Sequence, residues 1–203
     1  MNYKILAEEA FRIFSAGDPS DESGLEIKDF ELAVEQARAA KIRYDYFDTY
    51  KVTGERTVHN SWLHTYRNVP VLFDEGTQSY YSDLPEEVLD LPHNLGIYHV
   101  SKMQDFQNPF RIQTIGELWL FSRNPNDFIT FHYDADKIFY DNWDYNIKEV
   151  YMQIVPLSDP DIPDEFATEI INMVLNQFLK AKGYTEDKLT NGNPNKTETQ
   201  ING

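Results

Sequence analysis

Apolar residues recur at helical spacing in three stretches of the chain, and at shorter, strand-like spacing between them. In the first stretch, Leu6, Ala10, Ile13 and Phe14 trace one face of a helix over 3–16, and Gly17-Asp18-Pro19 ends it. The polar run SDESG then leads into a second helix over 26–45. Ile27, Phe30, Val34, Ala37 and Lys41 mark its face, and alanines fill its body. From about residue 46 the texture changes. YDYFDTYKV, RTVHNSWLHTYR and VPVLFD are short and rich in aromatic and β-branched residues, which predicts strands. Turns are expected at Gly54-Glu55 and Asp74-Glu75-Gly76, while Pro85 and Pro92 interrupt any long element between 82 and 102.

Further strands are expected at LGIYHVSK (95–102), FRIQTI (110–115), GELWLFS (116–122), FITFHY (128–133), KIFYD (137–141) and EVYMQIV (149–155). Arg123-Asn124-Pro125-Asn126-Asp127 reads as a turn. A last helix follows at 163–182, with Pro163, Asp164 and Glu165 suited to its first turn and a broad stripe from Phe166 to Leu179. Lys180 and Lys182 suit its last turn and Gly183 its cap; beyond Tyr184 the chain is almost without apolar residues. Strands grouped in succession, not alternating with helices, give an α+β fold with antiparallel pairing. The expected organisation is one domain over 1–183, with a helical hairpin at 1–45, a β-rich region at 46–156, a C-terminal helix at 163–182 and a flexible tail at 184–203.

Composition narrows the chemistry. The 203 residues contain no cysteine, which removes disulfides, thiolate metal sites and cysteine nucleophiles. With 34 acidic and 18 basic residues the formal charge is −16, a surface that repels phosphate and disfavours wrapping of nucleic acid. Arg38, Lys41 and Arg43 on the second helix suit an interface with an acidic neighbour better than a nucleic-acid patch. The opening MNYKILAEEAFRIF, with Glu8 and Glu9, is neither a secretory signal nor a membrane span.

The stretch FITFHYDADKIFY poses the one pointed chemical question. His132 and Asp134, two apart on a strand, share a face and form an H-x-D pair of metal-ligand types, with His59, His64, His93 and His99 as possible further ligands. The alternative is a plain hairpin whose turn is DAD, and the turn chemistry of Asp favours it. HNSWLH (59–64) has neither the helical nor the strand spacing of a ligand pair. No nucleophile elbow or phosphate-cradling loop occurs. The carboxylate pairs Glu8/Glu9, Glu86/Glu87 and Asp159/Asp161 are what so acidic a chain produces by chance. No catalytic, cofactor-binding or metal-binding residue is therefore assigned, and no enzyme is expected.

Residues 69–113, VPVLFDEGTQSYYSDLPEEVLDLPHNLGIYHVSKMQDFQNPFRIQ, carry a strand, an acidic turn, two LP pairs, a GIYHV strand and NPFRIQ. This stretch resembles structural proteins of crAss-like phages of Bacteroidetes, in particular the ring-forming head-to-tail connectors between portal and short tail. The resemblance implies a virion protein at the head–tail junction, assembled in the host cytoplasm. Its partners would be copies of itself in a dodecameric ring, the portal protein and neighbouring tail or ring proteins. DNA would pass through without sequence-specific binding, no membrane would be involved, and no cofactor is implied. Two other readings stand beside it: a small metal-dependent enzyme using His132 and Asp134, and a monomeric module that binds carbohydrate or protein through its Tyr- and Trp-rich surface.

Overall fold

The computed structural model of the chain describes residues 1–15, 24–55, 57–92, 95–113, 129–134 and 136–181. Among the described residues three helices, α1 (Tyr3–Phe14), α2 (Ile27–Thr53) and α3 (Asp164–Ala181), bracket eight short strands, so the α+β expectation holds. The strands are β1 (His64–Pro70), β2 (Leu72–Asp74), β3 (Ser79–Asp83), β4 (Ile97–Lys102), β5 (Arg111–Ile112), β6 (Thr130–Asp134), β7 (Lys137–Asp141) and β8 (Glu149–Ile154). The expected strand at 116–122, the turn at 123–127, the ends of the loop and helix at 16–23 and 182–183, and the tail at 184–203 lie outside the described residues. The contacts divide the chain into two compact units, one of Met1–Arg38 with Asp161–Gly203, the other of Ala39–Pro160.

In the first unit, Asn2 caps α1 by accepting a hydrogen bond from the Lys4 amide at 3.0 Å. Leu6, Ala7 and Ala10 of α1 are buried, as are Phe30, Ala33 and Val34 of α2 and Ile170 and Val174 of α3. Rings knit the three helices: Phe30 stacks on Phe178 at 4.3 Å and meets Phe11 edge-on at 5.3 Å. Ile13, expected on the inner face of α1, is 48% exposed. The terminal amine donates to the Ile162 carbonyl and pairs with Asp164 at 2.9 Å, tying the first residue to the start of α3.

The largest departure from the sequence reading is α2, which runs on to Thr53, so YDYFDTYKV is helix and not strand. Its aromatics satisfy a helical period: Ile42 and Tyr46, four apart, are buried, and Tyr46 stacks over Tyr50 with near-parallel rings. Strand propensity yields here because no turn former separates this segment from the helix before it. The stop is Gly54, in the left-handed region at φ +74°, whose amide bonds the Tyr50 carbonyl at 2.9 Å. Arg38 and Lys41 are buried and Lys41 pairs with Asp45 at 2.7 Å, so the basic run on α2 is not the interface patch expected of it.

Two sheets form the rest of the second unit. The order β1-β8-β4 is antiparallel throughout, and β2-β3-β7-β6-β5 is antiparallel except for the parallel pair β5–β6. VPVLFD is two strands, not one, because the chain leaves the first sheet at Pro70 and Val71 bonds the Lys148 carbonyl. RTVHNSWLHTYR likewise opens with a 3₁₀ turn at Asn60–Trp62 before β1 begins. In β1 a bulge between Tyr66 and Val69 puts Asn68 at φ 59°, and its amide group donates to Glu149. Alternate residues of the two sheets, among them Val100, Val150, Met152 and Ile154 of one and Phe131, Ile138 and Tyr140 of the other, share a single core. The proline-punctuated segment after β3 becomes a strap beside the end of β8, where Leu89 and Leu91 are buried and Leu89 bonds the Val155 carbonyl at 2.8 Å. It packs so closely that a Cβ on Gly96 would lie 2.3 Å from the Leu89 carbonyl oxygen.

Candidate functional site

FITFHYDADKIFY forms a hairpin, β6 against β7, in the register Thr130–Asp141, Phe131–Tyr140, His132–Phe139, Tyr133–Ile138 and Asp134–Lys137. His132 and Asp134 do share a face, as their spacing requires. The neighbours of His132 on that face are a ring and a carboxylate: it stacks on Phe139 at 5.5 Å, and its Nδ1 stands 3.6 Å from Oδ2 of Asp141, beyond hydrogen-bond distance. Both of those atoms are covered and have no hydrogen-bond partner.

The other histidines have their own places. His59 caps the 3₁₀ turn, its Nδ1 accepting from the Ser61 amide at 3.4 Å, and His99 packs edge-on against Tyr151 at 5.6 Å, where burial holds its imidazole below the usual range. His93 lies outside the described residues. Among the described residues no three histidine or carboxylate groups are placed to hold a metal ion.

The registers set out a row of side chains across four strands of the five-stranded sheet. Leu72 pairs with Tyr81, Tyr81 with Phe139, and Phe139 with His132, all on the face opposite the core residues Phe131, Ile138 and Tyr140. Tyr81 and Phe139 lie 6.2 Å apart by ring centroids. Flanking pairs on the same face are Asp83–Lys137–Asp134 on one side and Asp141–Thr130 on the other. The Lys137 ammonium sits 4.5 Å over the Tyr81 ring. Asp74, two residues after Leu72, turns its carboxylate to Gly76 and Thr77, and these bonds hold its pKa below the usual carboxylate range.

A second polar centre lies around His64, the first residue of β1. Its Nδ1 is 2.8 Å from Glu86 of the strap and its Nε2 is 2.9 Å from Asp159, beyond β8. Tyr66, two residues along the same strand, donates to the same Glu86 oxygen at 2.5 Å. Its hydroxyl is pushed up to about 12, first by burial, then by the bond to Glu86 and by the charges of Glu86 and Asp159. The Asp159 side chain is only 8% exposed, whereas those of His64 and Glu86 are about a third exposed.

Sequence reading missed this centre. The partners of His64 are 22 and 95 residues away, and each comes from a carboxylate pair that composition alone accounts for. Glu86 also borders an open cleft of about 730 Å³ lined by Leu84, Glu87, Val88, Tyr133, Asp136 and Leu157. No known protein family matches the chain, and neither does any curated protein. Among the described residues no helix is long and apolar enough to cross a membrane.

Proposed function

We propose that the chain is a structural subunit of a virion head-to-tail connector, assembling with copies of itself into a ring that joins portal to tail and lets DNA pass. The observation that carries this reading is the outer surface of the second half of α2. Tyr44, Phe47 and Tyr50, three residues apart in turn, are exposed along one side of the helix there, Tyr44 by 64%. Three large aromatic residues along about two helical turns are a contact surface awaiting a neighbour. Repeated around an axis, such a surface meeting a different surface of the next copy closes a ring. The charge of −16 adds support, since a repulsive wall keeps passing DNA from sticking.

The resemblance of residues 69–113 to crAss-like phage connectors gives the reading its specific form, with the portal above and tail proteins below. The role is mechanical and needs no cofactor.

The test is co-sedimentation with the portal protein encoded by the same genome, comparing the native chain with Tyr44→Asp and Phe47→Asp. The reading expects the native chain to travel with the portal in multiple copies. Both variants should keep the native circular-dichroism spectrum and lose that association. Failure of the native chain to bind portal or tail proteins under any assembly condition would overturn it.

A further inference from the structure

The row Leu72–Tyr81–Phe139–His132 is not needed for the fold's core, and the contact surface on α2 does not include it. It crosses four strands whose neighbours lie about 4.8 Å apart, so it is about 14 Å long, the length of about four residues of extended chain. It is open: Leu72 is 41% exposed, the His132 side chain 36%, and Tyr81 and Phe139 are half-buried. His132 and Phe139 stack nearly parallel, 17° apart, with centroids at 5.5 Å.

The charge around this surface is one-sided. Asp83 and Asp134 flank Lys137 along one border, and Asp141, its side chain 46% exposed, stands on the other. The only cation of these flanking residues, Lys137, is already drawn over a ring of the row. That contact is an internal example of what the surface recognises. A guanidinium laid on the outward side of a ring of the row gains the same ring attraction and can reach the carboxylates on either border with its fork of donors.

We infer that the outer face of this hairpin sheet is a docking surface for a cationic, extended segment of a partner protein, in which arginine alternates with apolar residues. Alternation matters because residues two apart in an extended segment face the same side, so arginines meet the row together, their aliphatic stems covering Leu72, while the apolar residues between them face away. Charge complementarity selects this occupant over a sugar, whose hydroxyls gain little from three carboxylates and one lysine arranged around stacked rings. The inference stands apart from the connector reading and holds whether or not the chain forms a ring.

The experiment titrates the full chain with a short peptide alternating arginine and valine, followed by intrinsic fluorescence and by calorimetry. A peptide with glutamate in place of arginine and a linear glucose oligosaccharide serve as the other probes. Saturable binding of the arginine peptide alone is expected, weakened about tenfold by Leu72→Ser, by Phe139→Ser and by Asp134→Asn with Asp141→Asn. Leu72→Ser and Phe139→Ser leave the net charge unchanged, and the exposed Leu72 can be replaced without touching the core. The pair Glu8→Gln with Glu35→Gln removes as much charge as the double Asp variant but lies elsewhere, and it should bind as the native chain does. Equal weakening by that pair, or undiminished binding by Leu72→Ser, would reduce the effect to general attraction by an acidic protein and overturn the proposal. Binding of the oligosaccharide in place of the peptide would overturn it in favour of a carbohydrate surface.

Discussion

Two histidines of this chain meet carboxylates, and they do so in opposite ways. His64 has a carboxylate on each ring nitrogen, at 2.8 and 2.9 Å, and Tyr66 fixes one of those carboxylates from a third direction. His132 has one carboxylate at 3.6 Å, too far for a hydrogen bond, and its ring is spent on Phe139 instead. The first arrangement ties three segments of chain together and leaves nothing for a ligand to complete. The second leaves Nδ1 of His132 and Oδ2 of Asp141 covered and without a hydrogen-bond partner, beside a half-open row of rings.

The contrast breaks most sharply on removal of the two rings. His64→Ala removes the ring that links Asp159, its side chain 8% exposed, to Glu86. It should cost about 2 kcal/mol of unfolding free energy, below the range for a fully buried pair because His64 and Glu86 are partly exposed. Denaturant unfolding at neutral pH measures it.

Tyr66→Phe removes only a donor to Glu86 and should cost about 1 kcal/mol there. It also carries a pH signature. The Tyr66 hydroxyl titrates near 10 in the unfolded chain and at about 12 in the folded one, so the unfolded state loses its proton first as pH rises. The contribution of Tyr66 is complete below pH 10 and is lost between about 10 and 12. The native chain should therefore weaken over that window, and Tyr66→Phe should weaken less steeply. Tyr140, also held up by burial, contributes in the same direction and remains in the variant.

His132→Ala should cost under about 1 kcal/mol, the loss of one ring contact on an open face. Asp141→Asn should change stability by less than about 0.5 kcal/mol, because no hydrogen bond to His132 exists to be lost. If His132→Ala were the more damaging of the two ring deletions, the contrast would be reversed.

The same pair shows what sequence can and cannot carry. The hairpin at His132 was legible because strand period, turn chemistry and pairing partner all lie within thirteen residues. The helices at either end and the strands β4, β7 and β8 were legible for the same local reason. The extension of α2 was not, because Tyr44, Tyr46, Phe47 and Tyr50 fit a strand's composition and a helix's period equally, and only burial of Ile42 and Tyr46 decides between them. The tie at His64 was invisible: one histidine, one of two adjacent glutamates and one of several aspartates acquire meaning only when the strap and the end of β8 fold against β1. The transverse row was equally hidden, since its members come from four strands and only the registers align them.

The central claim is assembly, and negative-stain imaging of the purified chain mixed with the portal encoded by the same genome tests it most directly. The account predicts rings of this chain docked on the portal, with no stoichiometric metal in the same preparation. Isolated chains that dock on neither portal nor tail proteins, together with about one metal ion bound per chain, would contradict it.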